Sequence, residues 1–141
     1  MRQPKFRGYS LETNTWHYGH GWFEVDYTEE YKKEKGIEDK ARLYTEGYPV
    51  ECELKSMGEY TGLKDKNGKE IYEGDILKAR KSISDETEVY FRVKYTGAAF
   101  ALVHPEYHNT IYMEVMPWYV RETAEVIGNI YENPSLLEES E

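Results

Sequence analysis

The sequence predicts a mainly β fold, a small barrel with an N-terminal β-hairpin elaboration and at most one or two short helices. Three observations predict it. Tyrosine is abundant at 14 residues, against 4 Phe and 3 Trp, and 11 glycines punctuate the chain; aromatic segments broken by glycine favour strands. The stretch Tyr60–Leu77 reads as a hairpin leading into a further strand. Residues Thr87–Tyr95 alternate strictly, with Val89, Phe91, Val93 and Tyr95 on one face and Glu88, Tyr90, Arg92 and Lys94 on the other.

In chain order, Lys5–Tyr9 and Thr15–Tyr18 form a first hairpin across the polar Ser10–Asn14 stretch. After Gly19 and Gly21 comes a short strand, Trp22–Tyr27. Phe23, Val25 and Tyr27 lie on one of its faces, and Trp22, Glu24 and Asp26 on the other. Thr28 to Lys35 predicts a short surface helix. Glu29 and Glu30 sit in its first turn, Lys32, Lys33 and Lys35 in its last, and Gly36 stops it. Ala41–Thr45 and Tyr48–Leu54 are the next strands, and Pro49 marks the second as an edge.

The register of the central hairpin follows from charge. A two-residue Asn67-Gly68 loop would set Lys66 against Lys69 and Asp65 against Glu70, both repulsive. A three-residue loop, Lys66 to Gly68, instead sets Asp65 against Lys69, Lys64 against Glu70 and Leu63 against Ile71. This is a type I turn closed by a left-handed glycine. Gly74-Asp75 then turns the chain into Ile76–Arg80. Beyond Thr87–Tyr95, a reversal at Thr96-Gly97 leads to Ala98–His104, apolar on both faces and hence central. A polar loop spans His104–Thr110. Ile111–Met116 alternates again, Pro117-Trp118-Tyr119 begins a turn or single helical turn, and Glu125–Tyr131 is the last strand. Leu136-Leu137 reads as a short 3₁₀ turn, and residues 138–141 as a frayed tail. Five strands after Glu59 with short connections make the barrel. One domain of 141 residues results, with 1–57 as elaboration, 58–133 as core and 134–141 as tail.

The run Tyr-Thr-Gly-Leu-Lys-Asp-Lys-Asn-Gly-Lys-Glu-Ile-Tyr-Glu-Gly-Asp-Ile at Tyr60–Ile76 resembles the signature of the YopX family of bacteriophage and prophage proteins. Lys5–Tyr9 is similar to that family's opening strand, and Val126–Pro134 to its closing strand. The resemblance implies an SH3-like β-barrel core in a phage-encoded protein. It implies no catalytic or binding residues.

Composition excludes several functions. The net charge is −9, with 27 acids against 18 Lys and Arg. Nucleic-acid binding requires phosphates to be neutralised by basic side chains, so a nucleic-acid partner is disfavoured. The run Lys78-Ala79-Arg80-Lys81 reads as a solvated strand edge. The single Cys52 allows no internal disulfide and reads as a buried structural thiol. No apolar run reaches membrane-spanning length and the start lacks a signal-peptide core, so the expected location is the cytoplasm of a bacterial host.

His17 and His20, and His104 and His108, have helical ligand spacing, but Gly19 and Pro105 interrupt the two pairs. No metal or other cofactor is expected. Glu73 and Asp75 flank Gly74, where hydrogen bonding to the turn accounts for Asp75 as well as acid–base chemistry does. No phosphate loop, dinucleotide fingerprint or nucleophile elbow is present, and no enzyme is expected.

Small barrels present aromatics in grooves between loops, and Tyr60, Tyr72, Trp118 and Tyr119 fall at element ends where such a groove would form. The expected function is thus a non-catalytic accessory module that binds a host or phage protein. The alternatives are a nucleic-acid-associated β-barrel module and a self-assembling structural protein joined through an edge strand.

Overall fold

The computed structural model describes residues 4–96, 99–104 and 111–139. The expected reversal at Gly97, the loop through residues 105–110 with its His108, and the extreme tail lie outside them. The chain falls into two compact units, Met1–Tyr60 and Thr61–Glu141.

In the first unit, β1 (Phe6–Ser10) and β2 (Thr15–Gly19) form the expected antiparallel hairpin, with Tyr9 opposite Trp16. β3 (Gly21–Glu24), β4 (Lys40–Tyr44) and β5 (Val50–Glu53) make a three-stranded sheet in the order β3-β4-β5, so β5 is an edge as Pro49 predicts. Helix α1 (Glu29–Lys35) joins β3 to β4 and buries no residue. The Thr28 side chain accepts from the Tyr31 amide at its start, and Gly36 closes it in the left-handed conformation.

β1 approaches the second sheet closely. A Cβ on Gly8 would stand 2.5 Å from Met57 Sδ and 2.9 Å from Cys52 Sγ, a space that admits only glycine. The Tyr9 amide donates to Ser56 Oγ at 2.8 Å, whose hydroxyl donates to the Glu53 carbonyl at 2.7 Å. This interior is partly polar. Beside buried Ala41, Leu43 and Cys52 lie Arg7, Ser10, Lys40, Glu53 and Ser56. Lys40 and Glu53 are direct cross-strand neighbours and form a buried ion pair.

β6 (Gly58–Lys64) begins in the first unit, where Gly58 and Glu59 pair with Arg7 and Phe6. Its later residues pair with β7 (Glu70–Tyr72) in the second unit. There the three-residue loop forms as charge dictates. The Asp65 amide donates to the Lys69 carbonyl (2.8 Å), the Gly68 amide donates to the Asp65 carbonyl (3.0 Å), and Gly68 has φ +83°. No atom stands within 4 Å of a Cβ built on Gly68, so a side chain there meets only backbone strain. Gly68→Val is expected to lower stability by about 1–2 kcal/mol and Gly68→Asn by less; equal losses in urea unfolding would contradict this.

The rest of the second unit is a five-stranded antiparallel sheet. Its strands are β8 (Asp75–Arg80), β9 (Glu88–Thr96), β10 (Ala99–Val103), β11 (Ile111–Tyr112) and β12 (Glu125–Asn129), in the order β11-β10-β9-β8-β12. Helix α2 (Trp118–Thr123) precedes β12 and α3 (Ser135–Glu139) follows it. Leu77, Ala79, Val89, Phe91, Val93 and Leu102 supply the sheet's share of the core, and Met113, Met116, Val120 and Ala124 cover it. Asp75 meets the turn as the sequence suggests, its carboxylate accepting from the Tyr72 amide at 2.8 Å.

Several expectations need correction. The strand expected over Trp22–Tyr27 ends at Glu24. The basic run at Lys78–Lys81 begins within β8, which lies between β9 and β12 rather than at a sheet edge. Tyr95 is 45% exposed rather than inward, because it lies toward the end of β9, where its ring meets Phe100 edge-on. Ile111–Met116 is a strand only to Tyr112 and then a 3₁₀ turn, Met113–Val115. Met113 and Met116 are both buried while Val115 is exposed. A spacing of three reaches one face from a 3₁₀ turn but not from a strand. Leu136 and Leu137 lie in an α-helix rather than a 3₁₀ turn, so the described residues hold three short helices instead of one or two.

Candidate functional site

Of the four candidate aromatics, only Trp118 and Tyr119 come together. Pro117 opens α2, Val120 on the same helix is buried, and Tyr119 is half-buried against the core. Anchored there, the helix leaves Trp118 at its exposed end, 54% accessible. The two rings meet edge to face, centroids 5.8 Å apart. Tyr72 lines no surface, since it is buried and its hydroxyl donates to Glu70. Ile71 and Tyr72 are adjacent in β7 and both buried, so this short strand is covered on both faces. Tyr60 belongs to the first unit, where Lys5 Nζ lies 5.7 Å from its ring centroid and 5.9 Å from that of Tyr18.

The sequence reading missed Arg80. Its guanidinium carbon lies 5.8 Å from the Trp118 ring centroid. The Arg80 Nε–H donates to the Ser82 carbonyl at 2.9 Å and the Nη2 group donates to the Ile83 carbonyl at 2.7 Å, which holds the cation in place. Ile83 is 62% exposed beside it. The Arg80 amide donates to Thr123 Oγ1 (2.8 Å), and that hydroxyl donates to the Tyr119 carbonyl (2.7 Å), tying β8 to the last turn of α2. The basic run at Lys78–Lys81 contained the signal. Ala79 in it is buried, which fixes alternate side chains, Arg80 among them, on the outer face.

The patch is an exposed Trp with a cation over its ring and an aliphatic neighbour. It suits contact with another macromolecule through apolar area and cation–π attraction.

The first unit has a cleft of ≈ 490 Å³ lined by Lys5, Tyr18, Gly19, His20, Thr45, Glu46 and Gly47. His20 Nδ1 lies 3.3 Å from the Pro4 carbonyl, and His17 Nε2 bonds Thr13 Oγ1 at 2.8 Å, so the two rings serve different neighbours. His104 is buried edge-on against Phe91. Among the described residues no three His, Cys, Asp or Glu side chains gather to hold a metal ion. Cys52 is buried, and burial pushes its thiol up to about 11. No helix among the described residues is long and apolar enough to cross a membrane.

Fold and surface thus define a mainly β protein of two units with an exposed Trp–Arg patch on the second. The model of the YopX protein family matches residues 5–138, and the chain belongs to that family. The crystal structure of protein EF1440 from Enterococcus faecalis is similar, with 22% identity over 95% of this chain and 97% of that one, at a TM-score of 0.49. No curated protein matches.

Proposed function

We propose that this chain is a non-catalytic protein-binding module, a phage or prophage accessory protein acting on a host or phage protein in the bacterial cytoplasm. Its core is read as an SH3-like β-barrel. One observation carries the binding reading: the exposed Trp118 indole held between Arg80 and Tyr119. Trp and Arg dominate the energetics of protein interfaces. The net charge of −9 supports a protein over a nucleic acid as the partner.

The test compares the tagged protein and its Trp118→Ala variant as baits in bacterial host lysate, with and without nuclease. One stoichiometric protein that survives nuclease and is lost with Trp118→Ala is the expected result. The variant's melting temperature should stay within a few degrees, as for most surface changes. Unfolding of the variant would place Trp118 in the core. Partners that vanish with nuclease would favour the nucleic-acid module. Bait alone, with a multiple of the chain mass by light scattering, would favour self-assembly.

A further inference from the structure

Among the described residues, the first unit carries an open sheet edge. β3 pairs with β4 along one side and ends the sheet on the other. The Val25 amide donates to the Lys40 carbonyl at 2.9 Å, continuing the ladder past Glu24. Amides alternate in direction along a strand, so the Glu24 amide and carbonyl turn to the open side. Such an edge is a template for another strand.

The side chains give the edge a character. Trp22 and Phe23 are 37% and 45% exposed and project to opposite faces. On the Phe23 face the Tyr44 ring lies tilted, centroids 5.8 Å apart, making an aromatic shelf, and the exposed Arg42 directly opposite Phe23 disfavours a second cation on that side. On the Trp22 face comes Glu24, and Asp26 follows in the turn just past the strand, where the Tyr27 amide donates to the Val25 carbonyl. Both carboxylates are exposed and neither is ion-paired among the described residues. Two unpaired carboxylates repel a second copy of a chain already at −9 and favour a cationic strand. The same charges reject one occupant and select another.

We infer that β3 receives an extended basic segment of a protein partner as an added strand. The segment's Lys or Arg residues fall on the Trp22 and Glu24 face, the last of them towards Asp26, and its alternate apolar residues on the Phe23 and Tyr44 shelf. This site lies in the first unit and does not depend on Trp118.

The test uses the full chain and three synthetic peptides of about nine residues, within the usual range of strand lengths. One alternates Lys with Val, one alternates Glu with Val, and one has the Lys composition in two blocks. Binding is read by calorimetry and by backbone amide NMR. The alternating Lys peptide is expected to bind, with shifts centred on residues 21–26. The block peptide should bind at least about tenfold more weakly, a difference of about 1.4 kcal/mol, and the Glu peptide not at all. Glu24→Pro removes an outward amide while sparing the ladder to β4, and should abolish binding.

Equal binding of the block peptide, shifts elsewhere, unchanged binding by Glu24→Pro, or no binding would each overturn the inference. So would a dimer of the free chain, by equilibrium sedimentation, that Glu24→Pro dissociates. If Glu24→Pro fails to fold by circular dichroism, the double variant Glu24→Lys, Asp26→Lys takes its place. That variant should invert the preference towards the Glu peptide, and failure to invert would sink the idea.

Discussion

Glu53→Ala is expected to destabilise the first unit by about 3–5 kcal/mol, because it leaves the Lys40 ammonium buried without its counter-ion. The Lys40 and Glu53 side chains are 8% and 4% exposed and directly opposed across β4 and β5. A surface pair in that register would contribute less than about 1 kcal/mol. Burial alters the arithmetic. Two ions that meet in the interior largely offset their desolvation, but one alone does not. The double replacement Lys40→Met, Glu53→Leu should therefore recover most of the loss, since well-packed apolar residues of similar size often substitute for a buried pair. Urea unfolding followed by circular dichroism measures all three proteins. A Glu53→Ala loss below about 1 kcal/mol would show that water reaches the pair.

The second large effect is expected at Asp65. One carboxylate oxygen accepts the amides of Asn67 (2.8 Å) and Lys69 (2.9 Å), and the other accepts the Val126 amide at 2.9 Å. The Lys66 amide reaches the Ala124 carbonyl at 3.0 Å alongside. One side chain thus closes its own hairpin loop and fastens it to the start of β12. Asp65→Ala removes the acceptor from all three donors and is expected to cost about 2–4 kcal/mol, with hydrogen bonds to a charged group contributing most. Asp65→Asn keeps the shape but not the charge and should cost about half as much.

Acid should act in the same direction. Burial pushes the Asp65 carboxyl up, but the amides of Val126, Lys69 and Asn67 outweigh it and hold the group below the usual carboxylate range. Its contribution is then fully present above the unfolded value near about 3.9 and lost as pH falls through the lower folded value. Stability measured from pH 6 down to pH 2 should fall less steeply in Asp65→Asn than in the natural chain. Parallel curves would contradict this.

The sequence carried much of this wherever local chemistry decides the structure. Asp65 and Gly68 fix a turn type, and the flanking charges choose its register. Thr28, the acids after it, the lysines before Gly36 and Gly36 itself bound α1 on both ends. What escaped was decided by distant neighbours. The turn role of Asp65 was legible, but its bond to Val126, 61 residues away, was not. Lys40 and Glu53 carry charge, and nothing local distinguishes a buried charged pair from a solvated one. Among the candidate aromatics, Trp118 and Tyr72 are both large rings near element ends. Only the tertiary packing buries one and exposes the other, and only it brings Arg80 to the indole.

Cys52 gives the first unit a clock. Its thiol lies beneath the close approach of Gly8, and burial pushes it up to about 11, so at neutral pH almost none of it is thiolate. An alkylating reagent therefore reacts with molecules in which the layer over Cys52 has opened. The rate at which the single thiol is consumed reports the population of that opened layer while reclosing outpaces the chemistry, and the opening rate once reagent is in large excess, without any added probe.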